Sequence, residues 1–110
     1  SISLLSVHDD TGLKHVRKHF PKGTIEDYLH DLSAKELKVS KSKLDKSNLD
    51  HEVIIKTGHV AGEIVKVAKS GKFDLIVMGA KGRSTSTDLL IGSVAQRVLS
   101  ATHVPVTLIK

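Results

Sequence analysis

Runs of aliphatic, often β-branched residues alternate with amphipathic stripes along this chain of 110 residues. The runs predict strands, and the stripes, which place apolar residues at i, i+3, i+4 and i+7, predict helices. The predicted order is strand, helix, strand, helix, strand, loop, helix, strand. Because strands that alternate with helices form parallel sheets through right-handed crossovers, the sequence predicts an α/β fold. We expect a three-layer α/β/α arrangement around an open, mainly parallel, Rossmann-like sheet.

The predicted strands cover residues 1–7, 51–56, 73–78 and 104–109, and the predicted helices cover 24–40, 60–70 and 93–101. Thr24 and Asp27 have the spacing of a capping box at the start of the first helix. That helix is expected to fray between Ser40 and Asn48, because its apolar stripe weakens there. Gly71 stands where a left-handed glycine would end the second helix. No repeat or linker interrupts the pattern, so we expect one domain over residues 1–110.

Composition excludes several classes of function. The chain has no cysteine, which excludes disulfides, thiolate metal sites and a cysteine nucleophile. Two phenylalanines, one tyrosine and no tryptophan leave little for stacking against single-stranded nucleic acid. No apolar run approaches the roughly 20 residues of a membrane helix. We therefore expect a soluble intracellular domain with no membrane partner.

The basic excess is concentrated in the second half of the chain. Seventeen Lys and Arg against 12 Asp and Glu give a net charge of +5. Residues 1–50 carry nine basic and eight acidic side chains, and residues 51–110 carry eight and four. We interpret the Lys-rich stretch 35–46 as the solvated face of a helix. A basic nucleic-acid-binding domain remains an alternative, which the scarcity of aromatic residues disfavours.

A Gly/Ser/Thr-rich loop between the third strand and the last helix carries the clearest chemical signal. Gly79 and Gly82 are followed by Gly92 and Ser93, where the helix begins. Glycines let successive N–H groups point into one concavity, and a helix N-terminus favours an anion. Arg83 adds positive charge. These features predict phosphate binding, whereas the alternative is that the glycines form turns and Ser93 merely caps its helix.

Other motifs fit the sequence poorly. A Walker A loop needs Gly-Lys followed by Ser or Thr, but Gly82 is followed by Arg83. No G-x-G-x-x-G follows the first strand, so a dinucleotide fold of that type is excluded. His15 and His19 could share a helix face as metal ligands, but the basic residues around them would repel a cation. We predict no metal site and no catalytic residue.

The spacing Gly79-x2-Gly82-x9-Gly92-Ser93 resembles the ATP-binding signature of the universal stress protein family. The resemblance extends over nearly the whole chain and is weakest from residue 11 to residue 48. The segments 4–9, 58–68, 74–79, 92–99 and 104–109 are similar to the family's second strand, third helix, fourth strand, last helix and closing strand, respectively.

This resemblance implies a cytoplasmic ATP-binding regulatory or stress-response protein that acts as a nucleotide-responsive homodimer. The ligand it implies is ATP, with Mg as a candidate companion ion. In the family the loop holds the phosphates, while neighbouring positions meet the sugar and the adenine. The implied binding residues are Val7, Met78, Gly79, Gly82, Arg83, Gly92, Ser93 and Val94. The closing strand commonly pairs across the dimer, which would place the segment Val104 to Ile109 at the interface.

The family also begins with a strand and a helix that have no counterpart in this sequence. That strand lies at the centre of the family's sheet, and its final acidic residue helps anchor the adenosine or its metal. We therefore expect an N-terminally incomplete domain that by itself binds ATP weakly or not at all. The alternative function is a same-fold interaction protein that binds no nucleotide. Because the loop offers no obvious base to activate water, we expect slow ATP hydrolysis at most.

Overall fold

The computed structural model describes residues 1–10, 16, 18–80 and 91–110. The elements in these residues are β1 (Ile2–His8), α1 (Thr24–Ser47), β2 (His51–Thr57), α2 (Val60–Ser70), β3 (Ile76–Gly79), α3 (Ser93–Ala101) and β4 (Val106–Ile109). The predicted order of strands and helices is confirmed.

The chain divides into two compact units, Ser1–His59 and Val60–Lys110. The first contains β1, α1 and β2, and the second contains the remaining four elements. In the first unit β1 and β2 pair in parallel along all seven residues of each strand. In the second, β3 and β4 pair in parallel along all four residues. Parallel pairing is therefore confirmed, while the single domain over residues 1–110 stays a prediction.

One stripe of α1 forms the core of the first unit. The helix packs on both β1 and β2, and it buries Ile25, Leu29 and Ser33. These residues are four apart, so they lie along one face of the helix. Toward the middle of the helix, Glu36 reaches the end of β1, where its Oε2 lies 3.2 Å from Nε2 of His8. Apolar burial and this polar contact together hold α1 on the sheet.

The start of α1 differs from the prediction. Gly23 occupies the N-cap position in a left-handed conformation, with φ 91°, and makes no side-chain hydrogen bond that caps the helix. The Asp27 amide donates to the Gly23 carbonyl over 2.8 Å. Thr24 is therefore the first residue inside the helix, and the capping box of Thr24 and Asp27 is wrong. A glycine one residue earlier has taken the position that the hydroxyl was expected to fill.

The end of α1 also differs, because the helix continues to Ser47 and stops at a left-handed Asn48. The predicted fraying after Ser40 is wrong. Asp45, in the last turn, accepts a hydrogen bond from Lys41 over 3.3 Å and lies 2.9 Å from Nε2 of His51, the first residue of β2. These contacts tie the last turn to the strand. The Lys-rich stretch lies mostly at exposed positions of α1, as predicted.

The end of α2 shows why Gly71 is present. The left-handed residue is Lys72, with φ 54°, and not Gly71. The Lys72 amide donates to Lys69 over 3.3 Å and the Phe73 amide to Ala68 over 3.1 Å, which is the hydrogen-bond pattern of a Schellman motif. A Cβ on Gly71 would collide with the ring of Phe73. A larger residue at position 71 would therefore force the Phe73 ring to shift, and the predicted left-handed conformation of Gly71 is wrong.

β3 and β4 are shorter than predicted. The Phe73 amide is bonded to the end of α2, so the N–H of residue 73 is not available to the sheet. Pro105 has no N–H, and its carbonyl accepts from the Ile76 amide over 3.0 Å, immediately before β4. One face of the pair is open, since Val77 is 61% exposed and Ile109 is 55% exposed.

Removing the Ser33 hydroxyl should stabilise the chain. Ser33 is fully buried, and its Oγ has no hydrogen-bond partner among the residues that the structure describes, so folding desolvates a polar group without compensation. We expect Ser33→Ala to raise the free energy of unfolding by about 1 kcal/mol, measured by urea denaturation. Ser40→Ala, at an exposed position of the same helix, corrects for the higher helix propensity of alanine. Equal effects of the two substitutions would contradict the prediction.

The stability contributed by Asp45 should depend on pH. The hydrogen bond from Lys41, assisted by its charge and by His51, lowers the pKa of Asp45 from its ordinary value. A carboxylate with a lowered folded-state pKa stabilises the fold above its unfolded-state pKa, and this stabilisation is lost as pH falls through the folded-state value. Asp45→Asn should therefore destabilise at pH 7, with a difference from the parent that shrinks in strong acid.

Denaturation of the parent and of Asp45→Asn at pH 7, 5, 4 and 3 measures this dependence. Asp31→Asn, at an exposed position earlier in α1, provides the matched control for a lost acidic charge. A difference that stays constant with pH, or one that Asp31→Asn reproduces, would show that the contacts at Asp45 add nothing.

Candidate nucleotide-binding site

In the second unit the chain leaves the sheet at Ala80. The Ala80 amide donates to the Ile109 carbonyl over 2.9 Å, which extends the pairing of β3 and β4 by one residue beyond Gly79. Ala80 is only 7% exposed, so the chain is held firmly at this point. The exit lies at the carboxyl ends of two parallel strands, the region where open α/β sheets bind ligands.

The chain returns to the same point at Gly92. The Gly92 amide donates to the Ala80 carbonyl over 2.7 Å, and Gly92 itself is buried. Its conformation is extended, with φ −61° and ψ 157°, and it forms the N-cap of α3. Its carbonyl accepts the first helical hydrogen bond, from the Gln96 amide over 3.0 Å. The end of β3 and the start of α3 are therefore directly bonded.

The first turn of α3 presents backbone donors. The amides of Ser93, Val94 and Ala95 precede the first helical hydrogen bond and have no acceptor within the helix. The N-cap residue, Gly92, has no side chain with which to cap this end, and the first turn of α3 carries no acidic residue. The first turns of α1 and α2 do carry acidic residues, which offset the positive end of the helix dipole. The start of α3 is thus suited to an anion.

Five of the predicted site residues lie together at this junction. Met78 and Gly79 are the last residues of β3, and Gly92, Ser93 and Val94 begin the return into α3. The hydrogen bond between residues 80 and 92 joins the two groups. Ser93 is exposed and Val94 is half-buried. These positions stay predictions as ATP contacts, but the junction fits the backbone chemistry expected of them.

The other three predicted residues lie elsewhere. Gly82 and Arg83 fall outside the described residues, as does His15 of the histidine pair. Val7 belongs to the first unit, where it is half-buried near the end of β1 and pairs with Lys56 of β2. Its predicted contact with adenine stays a prediction.

Gln96 belongs to the junction and was not predicted. Its side-chain Nε2 donates to the Ile91 carbonyl over 2.8 Å, immediately before the buried Gly92. The only signal in the sequence is an amide side chain at the fourth position of a helix that opens with Gly-Ser. That signal is weak, because an exposed glutamine is common on any helix.

The first unit has a groove of a different character. Its volume is about 420 Å³, and it is lined by His30, Ala34, Leu37, Lys41, Val53 and Ile55. The lining is largely aliphatic and contains no helix terminus, so it lacks the backbone donors of the α3 junction. Within residues 1–10, 16, 18–80 and 91–110, no group of three or more His, Asp or Glu could hold a metal ion. None of the described helices has the length and apolarity that crossing a membrane requires.

Comparison with known proteins identifies relatives of this chain. The universal stress protein MJ0531 of Methanocaldococcus jannaschii is 47% identical over 53 residues, which are 48% of this chain and 31% of that protein. The universal stress protein MJ0577 of the same organism is 29% identical over 96 residues, which cover 79% of this chain and 58% of that protein. The universal stress protein YxiE of Bacillus subtilis is 29% identical over 103 residues, which cover 91% of this chain and 67% of that protein. The chain thus matches 31% to 67% of the length of these proteins.

Solved structures are similar over almost the whole chain. The hypothetical protein MJ0577, whose biochemical function was assigned from its structure, matches with a TM-score of 0.85 and 28% identity over 98% of this chain and 74% of that chain. The hypothetical protein PH0823 matches with a TM-score of 0.77 and 27% identity, over 98% of this chain and 73% of that chain. These similarities confirm the α/β fold with parallel strands in an open sheet. The model of the universal stress protein family matches residues 1–110, and the chain therefore belongs to that family.

Proposed function

We propose that this chain is an ATP-binding regulatory module of the universal stress protein family, acting as a nucleotide-responsive homodimer. The observation that carries the proposal is the 2.7 Å hydrogen bond from the Gly92 amide to Ala80. It brings the first and last glycines of the signature to one junction, beside the first-turn amides of α3. The loop that contains Gly82 and Arg83 begins and ends at this junction.

The chemistry of the junction favours phosphate oxygens as the bound groups. Backbone N–H groups donate to phosphate and do not ligate metals, so Mg would reach the site only as a companion of ATP. Ser93 can add a hydroxyl donor from its exposed position. Among the described residues of the junction, 78–80 and 91–96, there is no acidic or histidine side chain to activate water. The activity we propose is therefore binding, with hydrolysis slow if it occurs.

Ser93→Asp should abolish ATP binding while the fold is kept. A carboxylate at the first position of α3 would repel phosphate, yet it would interact favourably with the helix dipole by about 0.3–1 kcal/mol. Stability should therefore be unchanged or slightly higher. The measurement is a titration of the ¹⁵N-labelled chain with ATP to millimolar concentration, monitored at the backbone amide signals of Gly92, Ser93 and Val94.

Ser93→Ala is the matched control, because it removes only the hydroxyl and should retain most of the binding. GTP and inorganic triphosphate, titrated in parallel, separate recognition of adenine from recognition of phosphate. If ATP leaves the three amide signals of the parent unshifted, the proposal fails, and the same-fold interaction protein becomes the better interpretation. Equal binding by Ser93→Asp and the parent would remove the α3 terminus from the site.

Dimerisation through the closing strand should be sensitive to a charge on β4. One edge of β4 is paired with β3, and its Ile109 side chain is 55% exposed. A lysine at residue 109 would have to lose hydration at an interface formed by this strand. We expect Ile109→Lys to shift the protein from dimer to monomer in sedimentation velocity.

Val77→Lys is the matched control, since Val77 lies on the same open face but on β3, and it is 61% exposed. It should leave the dimer intact. A parent that sediments as a monomer at all concentrations would contradict the dimer, and equal effects of the two lysines would contradict an interface specific to the closing strand.

A further inference from the structure

The segment that enters α3 is held by hydrogen bonds on both sides of Gly92. On one side, the Gly92 amide donates to Ala80, whose own amide donates to Ile109 at the end of β4. On the other side, the Gln96 side chain donates to the Ile91 carbonyl over 2.8 Å. The backbone bonds are independent of side-chain identity. Among these three hydrogen bonds, the Gln96 contact is the one that a side chain supplies.

The direction of the Gln96 bond has a consequence for the donors of α3. In a capping box, a side chain near the helix start accepts a hydrogen bond from the N-cap amide. Here the N-cap amide, that of Gly92, is already bonded to Ala80. The Gln96 side chain instead donates to the residue before the cap, and so it occupies none of the helix amides. The Gln96 side chain thus ties the segment to α3 without using any of the amides of Ser93 to Ala95.

We propose that Gln96 is a positioning residue for the phosphate site, which it preorganises by fixing the Ile91–Gly92 segment against the first turn of α3. This inference rests on the proposed function, because it assigns a role within that same site. Gln96 acts through Ile91 and need not touch the nucleotide. Preorganisation of this kind strengthens binding by lowering the ordering cost that the ligand would otherwise meet.

If Gln96 has this role, its side chain determines both how rarely the Ile91–Gly92 segment opens and how tightly ATP binds. Gln96→Met keeps the length and approximate shape of the side chain but removes its N–H donors. Loss of one neutral hydrogen bond should weaken ATP binding about three- to tenfold. It should also speed amide hydrogen exchange at Gly92 by a similar factor, because the segment opens more often.

The experiment compares the parent, Gln96→Met and Ser100→Ala by ATP titration, by amide exchange without nucleotide and by urea denaturation. Ser100 also makes a side-chain hydrogen bond to the backbone of α3, to the Gln96 carbonyl over 3.1 Å, which makes it a control for general loosening of the helix. We expect Gln96→Met alone to lose affinity and Gly92 protection. Both variants should unfold at similar urea concentrations, because the role is local.

The outcomes separate the two proposals. If the parent binds ATP and Gln96→Met binds it equally well, the positioning role is overturned while the proposed function stands. If the parent does not bind ATP, the proposed function fails, and with it the role of Gln96 in binding. Unchanged exchange at Gly92 in Gln96→Met would overturn the inference in either case, since the side chain would then not hold the segment.

Discussion

The 2.7 Å hydrogen bond from the Gly92 amide to the Ala80 carbonyl is the constraint on which the candidate site depends. Through it the last helix begins at the point where the sheet of the second unit ends. The Ala80 amide in turn donates to the end of β4. The start of the helix is therefore connected by hydrogen bonds to both strands of the pair. The first-turn amides of α3 are thereby fixed in place relative to the ends of β3 and β4.

The residues that meet at this junction could be named from the sequence, but the hydrogen bonds between them could not. Gly79 and Gly92 were identified by their spacing, and Ser93 by its place at the start of a helix. The bond between residues 80 and 92 joins two backbone groups, which every amino acid except proline carries, so no residue type signals it. Gln96 escaped for a related reason, because a glutamine on a helix surface has many roles and only the direction of its hydrogen bond reveals this one.

The same distinction applies to the fold. The order of strands and helices and the parallel pairing followed from the period of the apolar residues, which is a property of the whole segment. The predicted ends of helices and strands were wrong where a single local contact determines the end. The apolar side chain of Phe73 favours a strand, yet its amide donates to Ala68 and forms part of the end of α2. The weak apolar stripe around Asp45 predicts a fraying helix end, yet the helix continues to Ser47, where the contact between Asp45 and His51 stabilises its last turn.

The unequal charging of the helix ends affects how the molecule meets a mobile anion. α1 carries Glu26 and Asp27 in its first turn and Lys46 in its last, so its side chains cancel much of the field of its own backbone. α3 has no such charges in its first or last turn. At physiological salt, charges are screened over about 8 Å, so the uncancelled field of α3 acts only on an anion already close to it. The capture rate of an anion at α3 should therefore fall as ionic strength rises.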